Sequence, residues 1–196
     1  MYSKLPNVIY GFHGCHKDVF EKVIKQGEHL DQSRNKYDWL GHGVYFWENN
    51  VERAEEWARE HFGDDGRVVG AVLDLGHCLN LADKTNIQPL KEGFELLQMN
   101  CNLLGQNLPK NRYRNESGDT LLRDLDCAII EATHQLNEKI NEPPFDSVRG
   151  VFFEGPPIAE GSEIREQTHI QIAICNPNCI KGYFIPRDLD DSYPNP

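Results

Sequence analysis

The sequence has no long hydrophobic run and few basic residues. No apolar stretch approaches the roughly 18 residues that a membrane-spanning helix needs. The start of the chain has no basic segment followed by an apolar one, so we expect no signal peptide and a cytoplasmic location. Lys and Arg number 20 against 31 Asp and Glu, which gives a net charge of -11. This charge disfavours nucleic acid as a partner, although residues 110–114 form a local basic patch.

Paired cysteines are also lacking. The six cysteines, at positions 15, 78, 101, 127, 175 and 179, include no C-x-x-C pair, and at 196 residues the chain is not small. We therefore expect no disulfide framework and no bound metal. The length suits a single domain covering residues 1–196, and the hydrophobic fraction of 39% is sufficient for a core.

Strand and helix signals run along the whole chain. The first strand is predicted from Asn7 to Gly14, and the helix that Asp18 opens ends at Gly27. Asn49 or Asn50 is expected to cap the next helix, and Asp119-Thr120 a later one. Further strands are predicted at residues 43–47, 67–75, 148–154, 169–175 and 182–185, and a further helix at 90–104. The order predicts an α+β domain with a helical insert at about residues 78–144.

Two short segments near the start carry the strongest functional signal. Each places one polar ring, His13 or Tyr45, in an apolar run among glycines: Tyr10-Gly11-Phe12-His13-Gly14-Cys15 and Leu40-Gly41-His42-Gly43-Val44-Tyr45-Phe46-Trp47. Glycine lets a ligand approach the backbone closely, and an apolar strand holds the ring in place. A flat ligand carrying a carboxamide or a ribose could be held between two such strands. Alone, His13 would more simply be an ordinary strand histidine bonded to a carbonyl, and Tyr45 a residue of the core.

These segments resemble the ADP-ribosyltransferase superfamily. The similarity is to the diphtheria-toxin and poly(ADP-ribose)-polymerase branch, whose motif is His…Tyr…Glu, and residues 33–48 are similar to small bacterial members of that branch. The resemblance covers most of the chain outside the insert. It implies a split β-sandwich of two small sheets with flanking helices, with NAD bound in the cleft between the sheets.

The resemblance also implies roles for single residues. His13 would bond the adenosine ribose, the backbone of Gly14 the nicotinamide carboxamide, and Tyr45 would stack on the nicotinamide ring. Ser33, Asn35 and the residues up to Leu40 would form a donor loop. The resemblance assigns to the NAD site, in all, His13, Gly14, Cys15, Ser33, Asn35, Tyr37, Leu40, Gly43, Tyr45, Phe46, Trp57 and His169.

The chain departs from the family at the third position of the motif. The late strand reads Glu166-Gln167-Thr168-His169-Ile170-Gln171-Ile172, with no glutamate in its apolar part. Strand alternation puts Gln167, His169 and Gln171 on one face. We predict Gln171 at the third position, with Glu166 and His169 as the second and third choices. We expect His13, Tyr45, Gln171 and Glu166 to form the catalytic set.

The function predicted from this resemblance is NAD-dependent mono-ADP-ribosyl transfer with release of nicotinamide. The small size fits a bacterial toxin or effector, which would call for an antitoxin or immunity protein as a partner. We favour a protein acceptor over a nucleic acid, and expect no membrane partner. Because the strand glutamate is missing, a module that only binds NAD or ADP-ribose remains an alternative. An RNA 2′-phosphotransferase is a further alternative that the acidic composition disfavours, and an interaction domain without an NAD site is another.

Overall fold

The computed structural model describes residues 8–190, 192 and 193. In chain order its strands and helices are β1 (Ile9–His16), α1 (Lys17–Gln26), β2 (Val44–Glu48), α2 (Val51–Phe62), β3 (Gly66–Leu73), β4 (Cys78–Asn80), α3 (Ile87–Leu104), β5 (Arg112–Arg114), β6 (Thr120–Leu122), α4 (Asp124–Ile140), β7 (Ser147–Phe152), β8 (His169–Ile174) and β9 (Ile180–Phe184). Asn7, the predicted start of the first strand, lies outside the described residues.

Most of the strands form one mixed sheet, and the predicted α+β class is confirmed. Seven strands hydrogen-bond in the order β4-β7-β8-β2-β1-β3-β9, while β5 and β6 form a separate two-stranded ribbon. Only β4 and β7 are parallel; the other neighbours run antiparallel. The strands therefore do not divide into the two small sheets that the resemblance implied. Strands β1 and β2 pair only as far as Phe12 and Trp47, and a local opening lies between them beyond this point.

Local signals explain the first two helices. The His16 side chain accepts from the amide of Asp18 at the start of α1, and Gly27 ends that helix in the left-handed region at φ 74°. Asn50 caps α2, because its side-chain oxygen accepts from the amide of Arg53 at 2.9 Å. The cap at Asn50 and the end at Gly27 confirm two predictions made from the sequence.

The segment between residues 78 and 144 differs in part from the prediction. The expected cap at Asp119-Thr120 is wrong, because Thr120–Leu122 pairs with Arg112–Arg114 as a strand and the helix begins only at Asp124. Strand β4, inside the same segment, joins the main sheet beside β7. The division into a core and an insert stays a prediction. Among the described helices, none has both the length and the apolar character needed to cross a bilayer.

The sheet carries apolar side chains on both faces, and the two faces meet different helices. On one face, residues such as Phe46 and Ile172 pack with Val23 and its neighbours in α1. The opposite face is covered in two places, by Ile130 of α4 over β7 and β8 and by Ala54 of α2 over β2 and β3. A cleft opens on this second face, where α2 and the β5–β6 ribbon border the sheet.

Candidate functional site

The cleft is a cavity of about 720 Å³ where β1 and β2 separate. This volume lies within the range of roughly 300–1,000 Å³ that small-molecule sites occupy. Most residues predicted for the site line it: His13, Gly14, Ser33, Asn35, Tyr37, Tyr45, Phe46, Trp57 and Gln171. A second cavity of about 430 Å³, beside α1 and α2, contains none of them.

The other predicted residues do not line the cavity. Cys15 and Leu40 are buried in the two cores, and burial raises the pKa of the Cys15 thiol to about 11. Gly43 pairs with Ser33 through two backbone hydrogen bonds. His169 is buried beneath Gln171 and bonds to it. Glu166 is exposed, because it lies in the connection before β8 begins.

The pairing of β1 with β2 stops within the first motif, one residue before His13. The β1–β3 ladder spans all of β1, whereas the β1–β2 ladder ends at Phe12 opposite Trp47. The Tyr10 carbonyl accepts from the amide of Asn49 on the β2 side. Because backbone groups alternate along a strand, the N–H and C=O of Gly14 point toward the same side. Beyond Phe12 that side is the opening.

His13 occupies the place where the next ladder bond would form. Its Nδ1 lies 2.7 Å from the carbonyl oxygen of Tyr45, which a continued ladder would pair with the N–H of Gly14. Burial lowers the pKa of His13, and the hydrogen bond to the Tyr45 carbonyl offsets this only in part. The ring is therefore neutral at pH 7, with Nδ1–H donating to the carbonyl and Nε2 left as an acceptor.

Gly14 is required for the packing of α2 against the sheet. A Cβ atom at this position would come within 2.7 Å of the Ala54 carbonyl oxygen and 3.0 Å of the Trp57 ring. A side chain at Gly14 would therefore push α2 away from the sheet. The sequence predicted that a side chain at Gly14 would obstruct a ligand, but in the structure such a side chain would clash with α2.

The Tyr45 hydroxyl holds the loop that precedes its own strand. It accepts from the amide of Leu40 and donates to the carbonyl of Gly41, both at 2.7 Å. Burial raises the pKa of Tyr45 well above its ordinary value. The phenol is therefore a neutral structural group whose ring faces the cavity, and its hydroxyl is fully used.

The loop itself is closed by one buried carboxylate. Asp38 accepts from the Ser33 hydroxyl and from the amide of Asn35, both at 2.9 Å, and burial raises its pKa. Trp39 donates from its indole to the Leu121 carbonyl at 2.9 Å and stacks under the Arg123 guanidinium. We call His13, Tyr45 and residues 33–40 the histidine–tyrosine side of the cleft.

Helix α2 and the ends of β7 and β8 form the other border of the cavity. Arg53 and Trp57 are four residues apart, so they share one face of α2, and both line the cavity. Trp57 stacks on His61 and packs against Trp47. On the same border, Glu154 follows the end of β7 and Gln171 lies in β8. We call Arg53, Trp57, Glu154 and Gln171 the arginine–glutamate side.

A short chain of hydrogen bonds orients the Gln171 amide. His169 Nδ1 lies 2.7 Å from the Gln167 carbonyl, which can only accept, so Nδ1 carries the proton. Burial lowers the pKa of His169, and its neutral ring therefore offers Nε2 as an acceptor. The Gln171 Nε2 group donates to that atom at 3.0 Å. The Gln171 Oε1 atom is consequently the free acceptor of this side chain.

Glu154 is a functional candidate that the sequence analysis did not single out. It is buried and lines the cavity. Its position depends on the β7–β8 register, in which the amide of Gln167 donates to the Glu154 carbonyl at 3.0 Å. Arg149, within β7, instead forms two hydrogen bonds with Glu48 away from the cavity. The sequence feature that could have indicated Glu154 is a carboxylate directly after the apolar residues Phe152-Phe153.

Two buried nitrogen atoms have no hydrogen-bond partner among the described residues, and both belong to residues lining this cavity. They are Trp47 Nε1 and Arg53 Nε. Because unpaired buried donors cost free energy, each gains from a ligand that brings an acceptor. No group of three metal-ligating side chains is found in the part of the chain that the structure describes.

Comparison with protein-family models, with curated proteins and with solved structures finds no match to this chain.

Proposed function

We propose that this chain is an NAD-dependent mono-ADP-ribosyltransferase. The observation that carries the proposal is the opening between β1 and β2, where the His13 imidazole takes the Tyr45 carbonyl and leaves the backbone of Gly14 facing the cavity. A carboxamide is a donor and an acceptor side by side, which matches one backbone N–H and C=O. The Tyr45 ring lies in the same cavity and offers a flat apolar face to a nicotinamide ring.

The charge state of the site fits the donor. Neutral His13 presents Nε2 to a ribose hydroxyl, and neutral Tyr45 adds no charge beside the cationic nicotinamide ring. Arg53 supplies positive charge and an unpartnered donor for phosphate oxygens. These features support NAD, which is a substrate here and not a resident cofactor.

Gln171 supplies the acceptor that the reaction needs on the ribose. When the bond between ribose C1′ and nicotinamide breaks, positive charge develops on the sugar. The free Gln171 Oε1 atom, fixed by the bond from Nε2 to His169, can accept from the ribose 2′-hydroxyl and stabilise that charge. An amide stabilises it less than a carboxylate does, which favours a single transfer over chain elongation.

A module that binds NAD without turnover is the second candidate. The neutral amide at Gln171, where the family has a glutamate, is the observation that favours it. Both candidates require NAD in the cavity, so they differ only in the fate of the glycosidic bond.

The test is NAD binding together with release of nicotinamide. NAD should raise the melting temperature, by an amount equivalent to about 2.7 kcal/mol at a concentration near 100 times Kd. Nicotinamide should then be released, and label from NAD should appear on macromolecules of a cell lysate. NADH is the matched control, because its reduced ring is a poor leaving group. Binding without release would favour the second candidate, and neither effect would contradict both.

Gln171→Ala separates the two roles assigned to the site. We expect nicotinamide release to fall while the NAD-induced rise in melting temperature persists, because Gln171 acts on the ribose charge and not on the nicotinamide amide. Unchanged release in this variant would contradict the role given to Gln171.

A further inference from the structure

Of the buried carboxylates of the cleft, Glu154 has the fewest hydrogen-bond partners. Its side chain is about nine-tenths buried, yet it lines the cavity. Arg53 Nη2 lies 3.6 Å from its carboxylate, and Nδ1 of the neutral His169 ring lies at 3.5 Å. Both distances exceed those of a good charge-assisted hydrogen bond, and His169 Nδ1–H already donates to the Gln167 carbonyl. The Glu154 carboxylate is therefore free to receive a proton.

Of the carboxylates that line the cavity among the described residues, only Glu154 is buried and lacks a short hydrogen bond. The Asp38 carboxylate closes the 33–40 loop, while Glu60 and His61 are exposed. The free Nε2 atom of His13 is assigned to the ribose hydroxyl, and His169, which lies beneath the lining, uses both ring nitrogens. Asp119 accepts from the amide of Gly155 and from the side chain of Asn115. Gln171 is an amide and has no basic atom.

We propose that Glu154 is the general base of the transfer step and that the acceptor is a neutral hydroxyl group; this rests on the proposed transferase function. As the acceptor oxygen forms its bond to ribose C1′, the bond from C1′ to the nicotinamide nitrogen breaks. The bonding electron pair goes to that nitrogen and neutralises its charge. The hydroxyl proton goes to the Glu154 carboxylate, so atoms and charge balance.

The charges around Glu154 select the acceptor class. An acceptor carboxylate would be repelled by the Glu154 carboxylate and has no proton to give. A protonated amine would place its charge beside the Arg53 guanidinium, 3.6 Å from Glu154. A neutral hydroxyl avoids both repulsions and needs a base, which Glu154 supplies.

The charge balance of the site also suits a base that must give its proton back after each turnover. Burial raises the pKa of Glu154, and the Arg53 charge offsets this in part. The titratable and charged groups facing it are Arg53 from α2, His169 from β8, and Asp119 and Arg123 from the segment around β6. Activity should therefore fall on the acid side at a pH above the ordinary range for glutamate.

Glu154→Gln is the decisive variant, and Glu163→Gln is its control, since Glu163 is an exposed glutamate in the same connection between β7 and β8. With labelled NAD and a cell lysate, Glu154→Gln should lose transfer by about 100-fold or more. The NAD-induced rise in melting temperature should persist, and Glu163→Gln should behave as the wild type. The fall in activity at acid pH should disappear from whatever activity remains.

A second measurement holds even where Glu154→Gln folds poorly. Hydroxyl-linked ADP-ribose is an acetal that survives neutral hydroxylamine, whereas a carboxyl-linked product is an ester that hydroxylamine cleaves. The wild-type product should therefore keep its label, and Glu154→Asp, which keeps a carboxylate, should retain more transfer than Glu154→Gln. Wild-type transfer with full activity in Glu154→Gln, or a label removed by hydroxylamine, would overturn this inference and leave the proposed function standing. A wild type that neither binds NAD nor releases nicotinamide would instead overturn the proposed function.

Discussion

The two sides of the cleft differ in how their polar groups are satisfied. On the histidine–tyrosine side, the His13 Nδ1 atom, the Tyr45 hydroxyl and the Asp38 carboxylate each have a partner within the same side, at 2.7–2.9 Å. On the arginine–glutamate side, Arg53 and Glu154 approach only to 3.6 Å, and Arg53 Nε has no partner among the described residues. The named polar groups of the histidine–tyrosine side are hydrogen-bonded without a ligand, whereas Arg53 and Glu154 are not fully paired.

This difference separates recognition from chemistry. Groups already held by short hydrogen bonds need no reorganisation when a ligand arrives, which favours binding in a fixed geometry. Groups without partners can take a proton or pair with a charge during the reaction, as catalysis requires. We therefore expect substitutions on the histidine–tyrosine side to change binding and folding, and those on the arginine–glutamate side to change turnover.

The largest effect is expected for His13→Ala. Without the imidazole, the Tyr45 carbonyl is free to accept from the N–H of Gly14, so the β1–β2 ladder can extend and close the opening. NAD should no longer raise the melting temperature, and nicotinamide release should fall by about 100-fold or more. Stability should change by only about 1 kcal/mol, because one hydrogen bond replaces another.

His29→Ala is the matched control for His13→Ala, since His29 is exposed and lies outside the cavity. A His13→Ala protein that still binds NAD as the wild type does would remove the basis of the proposed site.

Tyr45→Phe should have the next largest effect, and on stability. It keeps the ring but leaves the amide of Leu40 and the carbonyl of Gly41 without the hydroxyl partner. The free energy of unfolding should fall by about 1–3 kcal/mol in urea denaturation. Tyr10→Phe, at an exposed tyrosine outside the cavity, should leave it unchanged.

Glu154→Gln, on the arginine–glutamate side, should affect stability less than Tyr45→Phe does. Because burial disfavours the charged carboxylate, the neutral amide should not lower the free energy of unfolding. If Tyr45→Phe cost no stability while Glu154→Gln cost several kcal/mol, the expected difference between the histidine–tyrosine side and the arginine–glutamate side would be reversed.

The sequence predicted the residues that act through local geometry better than those that act through register. His13 and Tyr45 lie in glycine-framed strands, and the structure brings both to one cavity. The start of α4 was missed because Thr120–Leu122 is held as a strand by Arg112–Arg114, a pairing with no local signal. Glu154 was not predicted for the site for the same reason, since its place in the cleft follows from the alignment of β7 with β8. The opening of the ladder after Phe12 likewise depends on two strands more than thirty residues apart.

A smaller effect is expected from pH. Burial lowers the pKa of His13, His134 and His169 below the ordinary value of 6.5. As pH falls through 6.5, the unfolded chain takes up protons at these positions that the folded chain does not, so the free energy of unfolding should fall. Urea denaturation at about pH 7.5 and about pH 5.5 measures this difference.

His13 and His169 lie on opposite sides of the cleft, so the pH experiment tests both at once. Glu154 and Asp38, whose pKa values are raised by burial, act in the opposite direction, because the folded chain binds protons at these carboxyls at higher pH than the unfolded chain does. A free energy of unfolding that is constant or rises between pH 7.5 and pH 5.5, about the window in which histidine titrates, would show that these rings are not held neutral.

The smallest effect is expected for Glu166→Gln. Glu166 was the second choice for the third motif position, but its side chain is exposed and does not line the cavity. Its backbone amide donates to the Pro156 carbonyl, a bond that glutamine keeps. Stability should therefore change by less than about 0.5 kcal/mol, and nicotinamide release should equal that of the wild type. A loss of release in Glu166→Gln as large as that in Gln171→Ala would mean that the connection before β8 folds over the cleft when NAD binds. The arginine–glutamate side would then also include the Glu166 carboxylate.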